Sequence, residues 1–566
     1  MSSKMIIYQI LPRLFGNTHD RLIHNGDIES NGCGKFQDIT SKTLQEIKKL
    51  GITHIWYTGI IEHASQTDYS AFGITKDHSA IVKGKAGSPY AIKDYYDVDP
   101  DLAVDVTNRM HEFEALIERT HMQDIKVLID FVPNHVARQY HSDAKPADVF
   151  DLGELDNQKL AFDSQNNFYY LPGELFAPQM DLTGDEQSPY VESPAKATGN
   201  DQFTSHPTIY DWYETVKLNY GVDYVNGKSK YFDPIPDTWQ KMRSILLFWA
   251  QKNIDGFRCD MAEMVPVEFW SWVIPQVKAK FPDIVFIAEI YTPSSYRHFI
   301  EIGKFDFLYD KVGMYDTLRA ITTDFESARD VSVKWQQVSD ILPHMLFFLE
   351  NHDEQRIASR FFAGDPLQAV PAMIIAATLS VSPVMIYFGQ ELGERGSDVE
   401  GFSGDDGRTT IFDYWSMDTV RRWYNKGNCD GALLTEQERD LRNFYQKLLN
   451  ISQDEKAIAH GEMFDLMYVN YENQMFNVDK QFAYLRKAGD ELILICVNFD
   501  ALCSDILINI PQHAFHYLEL PEGTKMNGVD LLSGEQELEQ EFSSHTPYSM
   551  HLNAFSGKIL KMKWAR

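Results

Sequence analysis

The stretch NIDGFRCDMAEMV, residues 253–265, sets an arginine and an aspartate two positions apart in what otherwise reads as a buried strand. Alternate side chains of a strand share a face. Gly256, Arg258 and Asp260 therefore point one way, and Phe257 and Cys259 the other. The Phe/Cys face suits packing against a helix. The opposite face puts a cation beside a carboxylate, and both must serve a polar purpose or find a partner there.

Outward from this stretch, helix-then-strand units recur. WQKMRSILLFWAQKN leads into IDGFRCD, and VEFWSWVIPQVKAKF into IVFIAEI. Earlier, TLQEIKKLG with its stop-signal Gly51 leads into ITHIWY, and HEFEALIERTH into IKVLIDF. Near-continuous apolar strands alternating with amphipathic helices indicate a parallel sheet. MIIYQIL, FDFLYD, MLFFLE and VMIYFG bring the strands to eight, the number a (β/α)8 TIM barrel requires. A doubly wound open sheet would need a glycine-rich phosphate turn after an early strand, and none stands there. The expected barrel takes residues 1–135 and 237–455. Between them, 136–236 is rich in Asp, Asn, Tyr and Pro and weakly periodic, and reads as an irregular domain inserted after strand 3. Residues 456–566 change to short alternating strands, FAYLRKAG and ELILICVNF among them, without helix signals. That pattern predicts a C-terminal antiparallel β-sandwich.

The 566 residues are 44% hydrophobic and 13% aromatic, ample for a large core. A formal charge of −30 excludes nucleic acid and anionic membrane surfaces as partners, because both need a basic face, and it suits a neutral substrate. The five cysteines are scattered without a CxxC pair, which argues against a zinc site or a disulfide framework. Met1 to Tyr8 holds no apolar run of signal-peptide length, so a cytoplasmic location is expected. The apolar run at 369–389 approaches membrane-span length, but Pro371 and Pro383 divide it into a buried helix and a buried strand. Nothing in the sequence addresses the oligomeric state.

Several strands end in a carboxylate: Asp130, Asp260, Glu289, and Asp353 just past LFFLEN. In this barrel the chemistry sits where strands end, at the C-terminal face. Asp260 to Glu289 is 29 residues, about one strand-helix unit, and Glu289 to Asp353 is 64, about two. Gathered carboxylates suit acid/base and nucleophilic work, with metal binding as the rival. No HxH or HExxH occurs. DVDPD at 97–101 has EF-hand-like spacing, but Leu102 and Asn108 stand where glycine and a bidentate glutamate are needed. A metal-free carboxylate pair fits glycoside hydrolysis, one group attacking the anomeric carbon and the other protonating the leaving oxygen. Arg258 would then hold Asp260 oriented and ionised, its positive charge lowering the carboxyl pKa.

DFVPNH (130–135), GFRCDMA (256–262), Glu289 in IAEI, and ENHD (350–353) resemble, in order, the four conserved regions of the α-amylase family, glycoside hydrolase family 13. The resemblance spans the chain. It implies that Asp260 is the nucleophile of a retaining mechanism, Glu289 the general acid and then base, and Asp353 a stabiliser of the transition state. It implies that His135 and His352 hydrogen-bond the sugar, that Arg258 orients Asp260, and that Tyr90 in SPYAIKDYY stacks on the sugar ring. Asp130 and Asn134 are implied to brace the loop beneath. The implied substrate is an α-glucan or oligosaccharide with mainly α-1,4 bonds. A transglycosylase or isomerase using the same intermediate, and an inactive glucan-binding relative, are the alternatives.

Two departures bear on cofactors and specificity. Glu263 and Met264 stand where many members carry Lys-His on the leaving-group side. TVKLN (215–219) resembles the family's fifth motif, with Lys217 where a calcium-binding aspartate often stands, and an ammonium cannot ligate a cation. No cofactor is therefore expected to be required; calcium has a weaker alternative site around Asn17 to Asp27. GQELGE (389–394) and GDDGRTTIFDYW (404–415) are expected to line the variable side of the pocket.

Overall fold

The computed structural model describes residues 4–396 and 399–564. Its centre is a closed parallel barrel of eight strands: β1 Ile6–Ile10, β2 His54–Tyr57, β3 Lys126–Phe131, β4 Gly256–Cys259, β5 Val285–Ala288, β6 Phe307–Tyr309, β7 Met345–Phe348 and β8 Val384–Tyr387. Each pairs with its neighbour in sequence, and β1 pairs with β8 to close the ring. All eight lie where the apolar runs placed them. Parallel strands need crossover connections, and helices such as Arg109–His121, Asp237–Ala250 and Val267–Lys278 supply them.

The side-chain alternation in β4 sets the inside of the barrel. Phe257 and Cys259 are fully buried in the layer between barrel and helices, where Phe257 packs against Phe131 and Phe286. The lumen holds a separate cluster that includes Ile7, Trp56, Leu128, Ile287, Tyr309, Leu346 and Met385. Every strand but β4 gives this cluster an apolar side chain. From β4 come Gly256, with no side chain, and the guanidinium of Arg258. Gly256 is required by crowding: a Cβ there would lie 2.6 Å from the Val285 carbonyl oxygen and 2.7 Å from Leu128 Cδ2.

Between β3 and the helix Asp237–Ala250 the strands are no longer than three residues. His135–Ala137 pairs with Thr215–Lys217, Tyr170–Leu171 with Ala195–Lys196, and Val222–Asp223 with Ser229–Lys230. One buried strand was not foreseen. Ile92–Val98 (IKDYYDV) pairs with Ile61–His63, and its three charged residues hide it from an apolar-run reading.

The C-terminal region holds a six-stranded antiparallel sheet and a two-stranded sheet, Ser504–Ile508 with Tyr548–Leu552. A helix, Gln512–Tyr517, lies in this region, where only strands are expected from the sequence; one turn and a half is too short for a visible 3.6-residue period. The apolar run at 369–389 resolves into the buried helix Val370–Thr378 and β8. Arg486 of the large sheet donates to the Leu379 carbonyl just past that helix at 2.9 Å, tying the sheet to the barrel. Among the described residues no helix is long and apolar enough to cross a membrane.

Replacing Gly256 with valine should cost about 1–3 kcal/mol through overpacking of the lumen. A chemical-denaturation midpoint lowered with an unchanged slope is the expected result; an unchanged midpoint would mean the lumen can yield around that position.

Candidate active site

Arg258 is buried in the lumen and organises the strand ends around it. Its Nη1 donates to Asp260 Oδ1 at 2.8 Å and lies 3.5 Å from Asp130 Oδ1; its Nη2 lies 2.8 Å from Glu289 Oε1. Its Nε donates to the Tyr309 hydroxyl at 3.3 Å. The rings of Trp56, Tyr90 and Tyr309 surround the guanidinium, with centroids 5.1–5.4 Å away. One cation thus touches three carboxylates that begin on three adjacent strands, β3, β4 and β5. The cost of burying it is met by those charges and by the ring faces.

Glu289 is the most enclosed of the proposed catalytic carboxylates. Beyond Arg258, its Oε2 accepts from the Met261 backbone N–H at 2.8 Å and its Oε1 from the Tyr291 hydroxyl at 2.5 Å. Met261 adopts a left-handed conformation, φ 42°, rare for a residue with a side chain. That turn, immediately after Asp260, aims its N–H at Glu289. Tyr291 was missed at the sequence level, although alternation from Glu289 places the two on one face.

Asp353 is open, its side chain 43% exposed against 8% for Asp260 and 2% for Glu289. Burial raises its carboxyl, but His352, Arg258 and Arg408 outweigh that and hold it at about 2. His352 Nε2 lies 3.1 Å from Asp353 Oδ2 and 2.7 Å from the Tyr90 hydroxyl, and Nδ1 meets the Gln9 side-chain amide at 2.8 Å. Tyr90 and His352 are stacked at 5.1 Å. Gln9, from β1, is a further residue the sequence did not flag.

Asp260 departs from expectation in sign. Burial and the nearby charge of Glu289 push its carboxyl well above the usual carboxylate range, and Arg258 only partly pulls it back. The expectation that Arg258 would lower the pKa weighed a neighbour two residues away, but not the desolvation and repulsion imposed by other strands. Asp260 Oδ1 is engaged by Arg258; Oδ2 accepts no hydrogen bond from the described residues.

Asp130 and Asn134 lie below. Asp130 Oδ2 accepts from the Gly59 N–H at 3.2 Å, and burial raises its pKa. Asn134 is fully buried and donates to the Gly199 carbonyl at 2.8 Å. His135 packs beside Trp212 at 5.2 Å, and burial, with Lys217 and Lys83 nearby, lowers its pKa to about 3 and keeps the ring neutral.

Lys217 decides the fit of a metal between barrel and insert. Its Nζ donates to Asn134 Oδ1 and to the Met264 carbonyl at 3.2 Å, and lies 2.7 Å from Asp201 Oδ1. The ammonium gathers three oxygens from three segments, so a divalent cation does not fit there. Nor do the residues of 17–27 converge. Asn17 donates to the carbonyls of Asn31 and Trp415, and Asp27 caps the turn at Ser30. The two candidate pocket loops also part. Arg408 of GDDGRTTIFDYW reaches the Asp353 carbonyl at 2.6 Å, so this loop adjoins the site. In GQELGE, Glu391 is fully buried against Tyr8 and Arg442, so this segment contributes packing rather than pocket wall.

The barrel and its carboxylates define a hydrolase-type site. The family described as "Alpha amylase, catalytic domain" matches residues 9–461. Alpha-amylase 3 of Dictyoglomus thermophilum is 23% identical over 501 residues, 81% of this chain and 79% of its own length. Neopullulanase 2 of Thermoactinomyces vulgaris is 20% identical, covering 94% and 74%. The solved α-amylase of Geobacillus thermoleovorans, complexed with acarbose, superposes with a TM-score of 0.64 at 18% identity, covering 99% of this chain and 98% of its own. The chain belongs to the α-amylase family, glycoside hydrolase family 13, and is a glycoside hydrolase.

Because the folded state raises the Asp260 pKa, ionised Asp260 costs stability above the usual carboxylate range, and the cost vanishes as pH falls below it. Asp260→Asn should therefore raise the melting temperature at pH 7, with the gain shrinking toward pH 4. A variant less stable than the parent at every pH would mean that the attraction of Arg258 dominates.

Proposed function

We propose that the enzyme cleaves α-glucosidic bonds, mainly α-1,4, in starch-type glucans or maltooligosaccharides, with retention of anomeric configuration. The observation that carries this reading is the single guanidinium of Arg258 within 2.8 Å of both Asp260 and Glu289. It draws the two carboxylates together, in keeping with the spacing of about 5–5.5 Å that a covalent glycosyl intermediate uses. In the first step an Asp260 oxygen forms a bond to the anomeric carbon as the glycosidic C–O bond breaks, and Glu289 gives its proton to the leaving oxygen. In the second, Glu289 takes a proton from water, the water oxygen bonds to the anomeric carbon, and Asp260 leaves as a carboxylate. One proton on the pair is the charge state both steps need.

Asp353 stays ionised and, with neutral His135 and with His352 beside it, is suited to holding sugar hydroxyls and the developing positive charge. The buried ring of Tyr90, held by His352, offers an apolar face to the sugar. Asp130 and Asn134 act through Arg258 and Lys217 rather than on the substrate. The names of the relatives, α-amylases and a neopullulanase, support an α-glucan substrate. No calcium is needed at the junction with the insert, because Lys217 supplies the positive charge there. A shared intermediate allows transfer to a sugar acceptor instead of water; Glu263, which accepts from the Thr292 N–H at 3.1 Å, stands on that acceptor side.

Maltoheptaose incubated with the enzyme should give shorter maltooligosaccharides whose new reducing ends appear first as the α-anomer by proton NMR, at a rate unaffected by chelator. Asp260→Asn should lower turnover roughly 10⁴-fold or more. Products longer than maltoheptaose would identify the transferase variant of the mechanism. A β-anomer first, or a substantially active Asp260→Asn enzyme, would refute it.

A further inference from the structure

A second group of aromatic rings lies on the surface, at the seam between the barrel helix Asp330–Gln337 and the C-terminal domain. Trp335 of that helix, with Tyr468, Tyr471 and Tyr517, lines a depression of about 290 Å³. The three tyrosines are 46%, 49% and 55% exposed, which core packing does not call for. The surface is held in place. Trp335 Nε1 donates to Asp465 Oδ2 at 2.8 Å, and the same oxygen accepts from the Ser332 hydroxyl at 2.5 Å. The Tyr468 hydroxyl meets His513 Nδ1 at 2.8 Å. The hydroxyls of Tyr471 and Tyr517 have no hydrogen-bond partner among the described residues.

We infer that this depression binds a neutral oligosaccharide, a stretch of α-glucan chain, at a place separate from the catalytic carboxylates. A pyranose presents a C–H face that stacks on an aromatic ring, and a rim of hydroxyls that meets polar tips such as the phenols of Tyr471 and Tyr517 and the exposed amide of Gln336. The only ionisable side chains in the depression apart from the phenols are Asp465 and His513, and both are already engaged inside the protein. No unpaired cation is left for an anionic ligand, and the chain's charge of −30 repels polyanions. A protein partner would need roughly 800 Å² of surface on each side. This depression instead matches the small end of ligand sites, about 300 Å³. Trp335 and Tyr468, fixed by these hydrogen bonds, lose little freedom on binding, which favours even a weak ligand. The choice of α-glucan as the ligand rests on the proposed function; the existence of a neutral saccharide site does not.

The test uses the full chain carrying Tyr471→Ala and Tyr517→Ala together. Migration in native gels containing amylose reads binding, and hydrolysis of maltotriose, too short to span both places, reads the catalytic site. Each stack is worth roughly 2- to 12-fold in affinity, so the double variant should bind amylose about tenfold or more weakly. Its melting temperature and maltotriose turnover should match the parent. If the pair of substitutions lowers the melting temperature, Tyr471→Ala alone carries the same comparison with an expected loss of about 2- to 12-fold. If neither protein hydrolyses maltotriose yet amylose retention falls in the variant, the surface site stands and the proposed activity fails. Unchanged retention in a glucan-active enzyme overturns the inference. So does light scattering that shows the parent to be a dimer and the variant a monomer, because the face would then be a contact between copies of the chain.

Discussion

A single buried cation, the guanidinium of Arg258, is the constraint on which the site depends. It stands in the lumen at the point where every other strand supplies an apolar side chain, and it is tolerated because three carboxylates and three aromatic rings close around it. Removing Arg258 would leave these carboxylates buried without their partner, a loss of about 3–5 kcal/mol. The same contacts hold Asp260 and Glu289 on one guanidinium. The burial and the repulsion that raise the Asp260 pKa are at the same time a cost to the folded state.

A second buried cation plays an analogous part beneath the loop that carries His135. Lys217 joins Asn134, Asp201 and the Met264 carbonyl, segments that begin on β3, in the insert and after β4. Burial lowers its pKa, and Asp201 only partly offsets that. An ammonium placed this way fastens the insert to the barrel by covalently tethered charge. The position of His135, and hence one wall of the sugar pocket, follows from it through the pairing of His135 with Lys217 across two short strands.

All eight barrel strands were legible because parallel strands covered on both faces are nearly continuous in apolar residues, and here they alternate with amphipathic helices. The carboxylates were legible because strand ends face one mouth. What the sequence hid were effects that depend on distance through space. Arg258 and Asp260 are neighbours in the chain and suggested a lowered pKa, whereas burial in the lumen, together with Glu289, 29 residues on, reverses the sign. Gln9 and Arg408 reach the site from opposite ends of the barrel's sequence and carry no local mark. GQELGE looked like a pocket loop because it follows the last barrel strand, but its Glu391 finds Tyr8 and Arg442 inside the protein. The strand Ile92–Val98 was hidden by Lys93, Asp94 and Asp97, all of them buried.

The central claim is that Asp260 forms a covalent bond to the sugar while Glu289 supplies the proton. It is tested most directly by trapping that bond with a fluorinated glycosyl fluoride, which slows the second step more than the first, followed by peptide mass spectrometry. The account predicts one sugar per chain, attached to the peptide containing Asp260, and no adduct in Asp260→Asn. A sugar attached at Glu289, Asp353 or Asp130, or an active enzyme that forms no adduct, would contradict it.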